Sequence, residues 1–154
     1  IRWLVSLSVL GAALIGGGRS ASAQANQTCT ITVTPVSFGI YNVFSTLPLT
    51  STGSVTYYCG KKVSTITIWM SKGTYGTTNN PRQMASGTNR LNYYLCQDAN
   101  CNTLWGDQAY PTDYGPLTPT TGQNVTLNVY GRIPVGQDVP AGTYTDTILV
   151  EIDY

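Results

Sequence analysis

Four cysteines are the residues in this chain best placed to do chemistry, and that chemistry is cross-linking rather than catalysis. Cys29, Cys59, Cys96 and Cys101 sit in a chain with no histidine. A nucleophilic Ser or Cys of the usual kind therefore lacks its base. A zinc knuckle is disfavoured as well, because Cys29 and Cys59 are far apart and no imidazole completes a set. The acids are Asp98, Asp107, Asp113, Asp138, Asp146, Glu151 and Asp153. Most fall in turn-like surroundings, where Asp commonly bonds its own backbone, and none shows a recognisable acid/base spacing. No P-loop, dinucleotide fingerprint or calcium loop is present, and Gly16-Gly17-Gly18 has no strand before it. The expectation is a protein that is not an enzyme, with no cofactor and no metal.

The elements that must position the cysteines begin after an export leader. Arg2 supplies positive charge, residues 3–15 are apolar apart from small or hydroxyl residues, and Ala21-Ser22-Ala23 fits a signal-peptidase site. The apolar run is shorter than the ~20 residues a spanning helix needs, so residues 1–23 read as a signal peptide clipped at its start. No membrane span is expected after cleavage. Residues 24–154 then suit one domain. Without Arg2 and Arg19 that domain carries six basic against seven acidic groups. It has no basic stripe, so no nucleic-acid partner is expected.

From Gln24 onward the hydrophobic period is two rather than 3.6. Strands are expected over 28–34, 54–60, 64–71, 91–96, 123–131 and 143–153, with shorter extended pieces around 36–38 and 103–105. Ile66, Ile68 and Met70 share one face of their strand, as do Val125, Leu127 and Val129 of theirs, and Ile148, Val150 and Ile152 of the last. Turn signals stand between them at Ser71-Lys72-Gly73, Asn79-Asn80-Pro81 and Pro140-Ala141-Gly142, and the stretch 106–121 reads as the longest irregular segment. Short strands with this punctuation indicate a two-layer antiparallel β-sandwich of immunoglobulin-like type. The sequence stops on its last strand, which leaves an edge to hide, tolerate or use for assembly.

On those strands the cysteines acquire positions. Cys29 shares a face with Ile31 and Val33, and Cys59 shares one with Val55 and Tyr57. Of the three possible connectivities, this pattern favours a Cys29–Cys59 bridge pinning two neighbouring strands from the inside, with Cys96 and Cys101 stapling a tight loop. Among the aromatic residues, those on strands read as core and cross-strand packing. Tyr110 and Tyr114, in the expected loop, are candidates for a surface that binds sugar.

Several motifs taken in order resemble those of spore coat protein U domains. They are Thr34-Pro35-Val36-Ser37-Phe38-Gly39-Ile40-Tyr41, Ser51-Thr52-Gly53-Ser54-Val55, Leu91-Asn92-Tyr93 followed by Trp105-Gly106-Asp107, Val129-Tyr130-Gly131-Arg132-Ile133-Pro134, and Pro140-Ala141-Gly142-Thr143-Tyr144-Thr145-Asp146-Thr147. The resemblance runs from about Cys29 to Tyr154. It implies an incomplete immunoglobulin-like sandwich lacking its last strand, as in subunits of the archaic chaperone–usher pili of Gram-negative bacteria. The implied partners are a periplasmic chaperone, an outer-membrane usher and a neighbouring pilin-like subunit, one of which supplies the missing strand. By carry-over, Ile31, Val33, Ile148, Val150 and Ile152 would wall the acceptor groove. The resemblance also implies the Cys29–Cys59 bridge, whereas Cys96 and Cys101 are a departure from it.

A second departure concerns donation. Only Gln24-Ala25-Asn26-Gln27-Thr28 precede Cys29 after the expected cut, too short and too polar for a donor strand. The expected function is thus a secreted pilin-like structural or adhesion subunit at the cell surface, one that accepts a strand without giving one, as at a fibre tip. The alternatives are a self-contained secreted coat or matrix protein, and a carbohydrate-binding module built on Tyr110 and Tyr114.

Overall fold

The computed structural model describes residues 3–6, 28–108 and 112–154. The expected leader, apart from residues 3–6, lies outside the described residues. Among the described residues nine strands follow one another: β1 (Trp3–Ser6), β2 (Cys29–Thr34), β3 (Leu49–Cys59), β4 (Ile66–Met70), β5 (Arg82–Ser86), β6 (Asn89–Cys96), β7 (Tyr114–Leu117), β8 (Asn124–Ile133) and β9 (Thr147–Asp153). They form two antiparallel sheets, of order β1-β9-β4-β7 and β2-β3-β8-β6-β5. Among the described residues no helix is long and apolar enough to cross a membrane.

Alternation decides which residues meet between the sheets. Ile66, Ile68 and Met70 of β4 and Ile148, Val150 and Ile152 of β9 point inward from the four-stranded sheet. They meet Ile31 of β2, Val55 and Tyr57 of β3, Leu91, Tyr93 and Leu95 of β6, and Val129 and Ile133 of β8. Burial of these side chains, each stabilising by about 1.5–3 kcal/mol, holds the layers together. On the outer faces hydroxyls pair instead, as Thr56 does with Thr126 across β3 and β8 at 2.8 Å.

The strands expected at 28–34, 64–71, 91–96 and 123–131 are present within two residues at each end. Four expectations are corrected. β3 begins at Leu49, five residues early, because Thr50, Ser51 and Thr52 pair with Arg132, Gly131 and Tyr130 of β8 despite their weak apolar pattern. β9 begins at Thr147 rather than at 143, because Thr145 pairs instead with Ala85 of β5, in the other sheet. β5 was not expected at all, since Arg-Gln-Met-Ala-Ser offers one large apolar residue. It forms as an edge strand through its register with β6, Met84 opposite Leu91. The stretch 106–121, expected to be irregular, contains β7. Pro116 lies inside that strand, after a cis Gly115–Pro116 bond, which an edge strand tolerates because its outer N–H needs no partner. Of the shorter pieces, 103–105 contributes a single bridge between Leu104 and Cys96, and 36–38 pairs with no strand among the described residues.

Gly53 marks where the chain leaving β2 crosses β3. A Cβ there would stand 2.5 Å from the Thr34 carbonyl oxygen and 2.9 Å from backbone atoms of Pro35 and Val36. Backbone cannot swing aside as a side-chain tip can. Gly53→Ala is therefore expected to cost about 1–3 kcal/mol of stability, as overpacking does. An unchanged urea midpoint would show that residues 34–36 yield freely.

Candidate functional site

After β2 the chain leaves the sheet and runs as residues 35–43 alongside the last part of the chain. Between that segment and residues 139–146 lies an open apolar cavity of about 780 Å³. Its floor is supplied by Met84, Leu91, Tyr93, Leu95 and Ile133, and its sides by Val36, Phe38, Tyr41, Val139 and Tyr144. A second, smaller space of about 30 Å³ continues between β2 and β9, lined by Val33, Met70, Val129, Ile148 and Val150. Pro35, Val36 and Leu95 border both spaces. Together they form one groove between the sheets, with the β2 side as one wall and the β9 side as the other.

The β9 wall has a definite hydrogen-bonding polarity. Leu149 donates its N–H to the Ser71 hydroxyl at 2.9 Å and accepts the Ser71 N–H at 2.8 Å. In an antiparallel ladder alternate residues bond to opposite sides. Ile148 and Val150 therefore direct their backbone groups away from β4, on the side where β1 pairs with them.

Polar anchors hold the cavity open. Tyr41 donates its hydroxyl to the Pro134 carbonyl at 3.0 Å and accepts the Gln137 N–H at 3.1 Å, tying 35–43 to the chain after β8. At the far wall the Tyr93 hydroxyl donates to Asp146 Oδ2 at 2.7 Å, while Asp146 Oδ1 accepts the N–H groups of Thr74 and Thr147 at 2.8 Å each. Burial, reinforced by the Asp146 carboxylate, pushes the Tyr93 phenol far above its ordinary value, so Tyr93 stays a proton donor. Gly73, at φ +87°, lets the 71–74 turn close over that carboxylate. A Cβ at this position would overlap it.

Beneath the cavity Arg82 is fully buried and clasps the two sheets. Its Nε donates to the Ser71 carbonyl at 2.8 Å, Nη2 to those of Met70 at 2.9 Å and Trp105 at 3.0 Å, and Nη1 to that of Asn79 at 3.4 Å. Burial lowers its pKa from 12.5 to about 10, with Tyr93, Asp107 and Asp146 acting in the opposite direction. It remains a cation at neutral pH.

This sandwich and its motifs have a known counterpart: the Spore Coat Protein U domain family model matches residues 19–151. The chain belongs to the Spore Coat Protein U domain family. "Protein U" of Myxococcus xanthus is 33% identical over 115 residues, a match covering 69% of this chain and 61% of Protein U. The chain thus spans about three fifths of the length of that curated relative. Among solved structures, the fold is similar to a chain in the crystal structure of the CsuC–CsuE chaperone–tip adhesion subunit pre-assembly complex, from the archaic chaperone–usher Csu pili of Acinetobacter baumannii. The TM-score is 0.51 at 22% identity, over 82% of this chain and 39% of that one.

In this Spore Coat Protein U domain the residues expected to wall a groove divide into two groups. Val33, Ile148 and Val150 line the smaller space. Ile31 and Ile152 lie deeper, within the core cluster, and border neither space. The larger cavity was missed from sequence, although its outer wall was present in the motif Phe38-Gly39-Ile40-Tyr41. Nothing local signals that this segment faces Tyr144 across an open space. Both disulfides are formed, Cys29 with Cys59 and Cys96 with Cys101, and Cys29 stands directly opposite Cys59 in the β2–β3 register. Asp98, in the second of these loops, accepts backbone N–H groups of Asn100, Asn102 and Thr103, which holds its carboxyl below the usual range. Tyr114 is half-buried in β7 with its ring 5.8 Å from that of Trp105. Tyr110 lies outside the described residues.

Proposed function

We propose that this chain is a secreted pilin-like structural and adhesion subunit, exported with cleavage after Ala23 and assembled at the surface of a Gram-negative bacterium. Residues 24–154 form a pilin-like β-sandwich domain of it. Its mechanism is β-strand addition: with residues 1–23, and so β1, removed, a partner's strand pairs with the β9 edge and fills the groove with alternate side chains. The observation that carries this reading is the apolar groove running beside the outward-directed backbone of Ile148 and Val150. Family membership and the likeness to a chain of a chaperone–subunit complex support it. A periplasmic chaperone would supply the strand first, an outer-membrane usher would receive the pair, and a neighbouring subunit would replace the chaperone. With only five residues between the cut and Cys29, the subunit accepts a strand and donates none, which suits a fibre tip. The role is structural, and no step in it calls for catalysis or a cofactor.

Co-expression with a periplasmic chaperone of an archaic chaperone–usher system tests this. The expected result is a one-to-one complex on sizing, with the subunit alone aggregating or degraded. A ligand that binds only the folded state adds about 2.7 kcal/mol at one hundred times its Kd, so thermal stability should rise clearly in the complex. A stable monomer indifferent to the chaperone would overturn the reading in favour of a self-contained coat protein.

A further inference from the structure

The outer face of β2, β3 and β8 carries almost no charge. Arg132 is the one charged residue on these three strands, and their Ile, Val and Leu residues all pack on the core. What points outward is set in rows by the strand register. Thr32, Thr56 and Thr126 stand side by side, with Thr34, Ser54 and Asn128 as the next row. The Thr56 and Thr126 hydroxyls bond each other at 2.8 Å, and that of Thr32 donates to the Thr56 carbonyl at 3.5 Å. Hydroxyls engaged in this way keep lone pairs for a ligand, at spacings of about 4.8 Å across the strands and about 6.8 Å along them.

Two tyrosines bracket the rows. Tyr58 stands opposite Asn124 and is 39% exposed. Its ring lies beside Gly60, where an added Cβ would come within 3.3 Å of Cε1, so the missing side chain at 60 leaves the ring room to lie along the strand. Tyr130 is six residues beyond Asn124 on β8, roughly 20 Å along the strand. Asn128 Nδ2 donates to its hydroxyl at 3.2 Å, which leans this ring back toward the rows.

We propose that this face binds an uncharged polysaccharide, a pyranose chain lying along β8 between Tyr58 and Tyr130. A charged polymer is held by opposite charge, and one arginine at the margin offers little of it. A protein partner calls for a desolvated apolar centre, and no aliphatic side chain stands here to provide one. Hydroxyl and amide rows between two aromatic rings instead complement a molecule with hydroxyls along its edges and C–H faces that stack on a ring. Adjacent strands rotate by roughly 20–25°, so the patch is twisted, and a single flexible chain follows it better than the flat face of a crystal. The groove lies between the sheets, so a strand bound there leaves this face free, and the inference does not rest on strand addition.

Native electrophoresis of the secreted protein, held by a chaperone where it needs one, tests this. The gels contain hydroxyethylcellulose, xyloglucan or galactomannan, three uncharged pyranose chains, with alginate as the anionic control. The expected result is retardation by at least one of the three and none by alginate. Y58A, Y130A and the hydroxyl-free pair T56V/T126V should each weaken it at least fivefold. All of these positions are on the surface, so melting temperatures should stay close to that of the parent, which the same samples check. Retardation untouched by all three variants would overturn the inference by placing the sugar elsewhere. So would equal retardation by alginate, or none by any uncharged chain. A concentration-dependent dimer abolished by Y58A, without retardation, would give the face to a second copy. Retardation with no chaperone capture would remove strand addition and leave this inference standing.

Discussion

Replacing Arg82 by methionine is expected to unfold most of this domain, or to lower its stability by about 4 kcal/mol or more. The stem of the side chain is matched by methionine, so packing is largely kept. What is lost is the guanidinium fork, which satisfies carbonyl groups of Ser71, Met70, Trp105 and Asn79. The Trp105 carbonyl keeps its bond from Asn79 Nδ2 at 3.0 Å, and each buried acceptor left without a partner costs about 1–3 kcal/mol. The nearby Asp146, itself buried, also loses the cation that helps balance its charge. A domain of ordinary stability has about 5–15 kcal/mol in total, so the loss takes up much of it. Arg82→Lys keeps the charge but not the planar fork and should fall between the two. The check is a urea titration of all three proteins. A shift below about 1 kcal/mol for R82M would mean that water reaches those carbonyls and that the clasp contributes little.

Removing the Cys29–Cys59 bridge by a paired change to alanine is expected to cost about 3–4 kcal/mol, from the entropy that a loop of 30 residues' separation regains in the unfolded chain. The consequence is local as well as global. β2 is an edge strand held on one side only, by β3, and it forms the wall of the groove opposite β9. Without the bridge, fraying of β2 should weaken chaperone capture more than the stability loss alone predicts. The Cys96–Cys101 bridge closes a separation of only five residues, and the same model gives it about 2 kcal/mol. It lies in a loop that Asp98 already organises through backbone N–H groups. Comparing melting temperatures of the two paired variants checks the order. An equal or larger loss for the 96–101 pair would contradict it.

The division between what was legible in the residues and what was not follows from the range of the forces involved. Alternation is a property of a few neighbouring residues, so Ile66-Thr67-Ile68 and Val150-Glu151-Ile152 announced strands, faces and hence a sandwich without any tertiary information. The same alternation put Cys29 and Cys59 on inward faces, which made their pairing readable, and the absence of histidine excluded the usual nucleophilic catalysis. Strands whose residues are not apolar by themselves were hidden. β5 and β7 exist because a neighbouring strand offers a ladder to an Arg-Gln-Met-Ala-Ser or a Tyr-Gly-Pro-Leu segment, and that offer is made from elsewhere in the chain. Arg82 could be counted as a charge but not recognised as a buried clasp, since the carbonyls it satisfies come from three separate segments. The groove is the clearest case. Val33, Ile148 and Val150 were named from their strand faces. The cavity where residues 35–43 confront 139–146 is empty space between distant segments, and only the packing of the two sheets decides where side chains fail to meet.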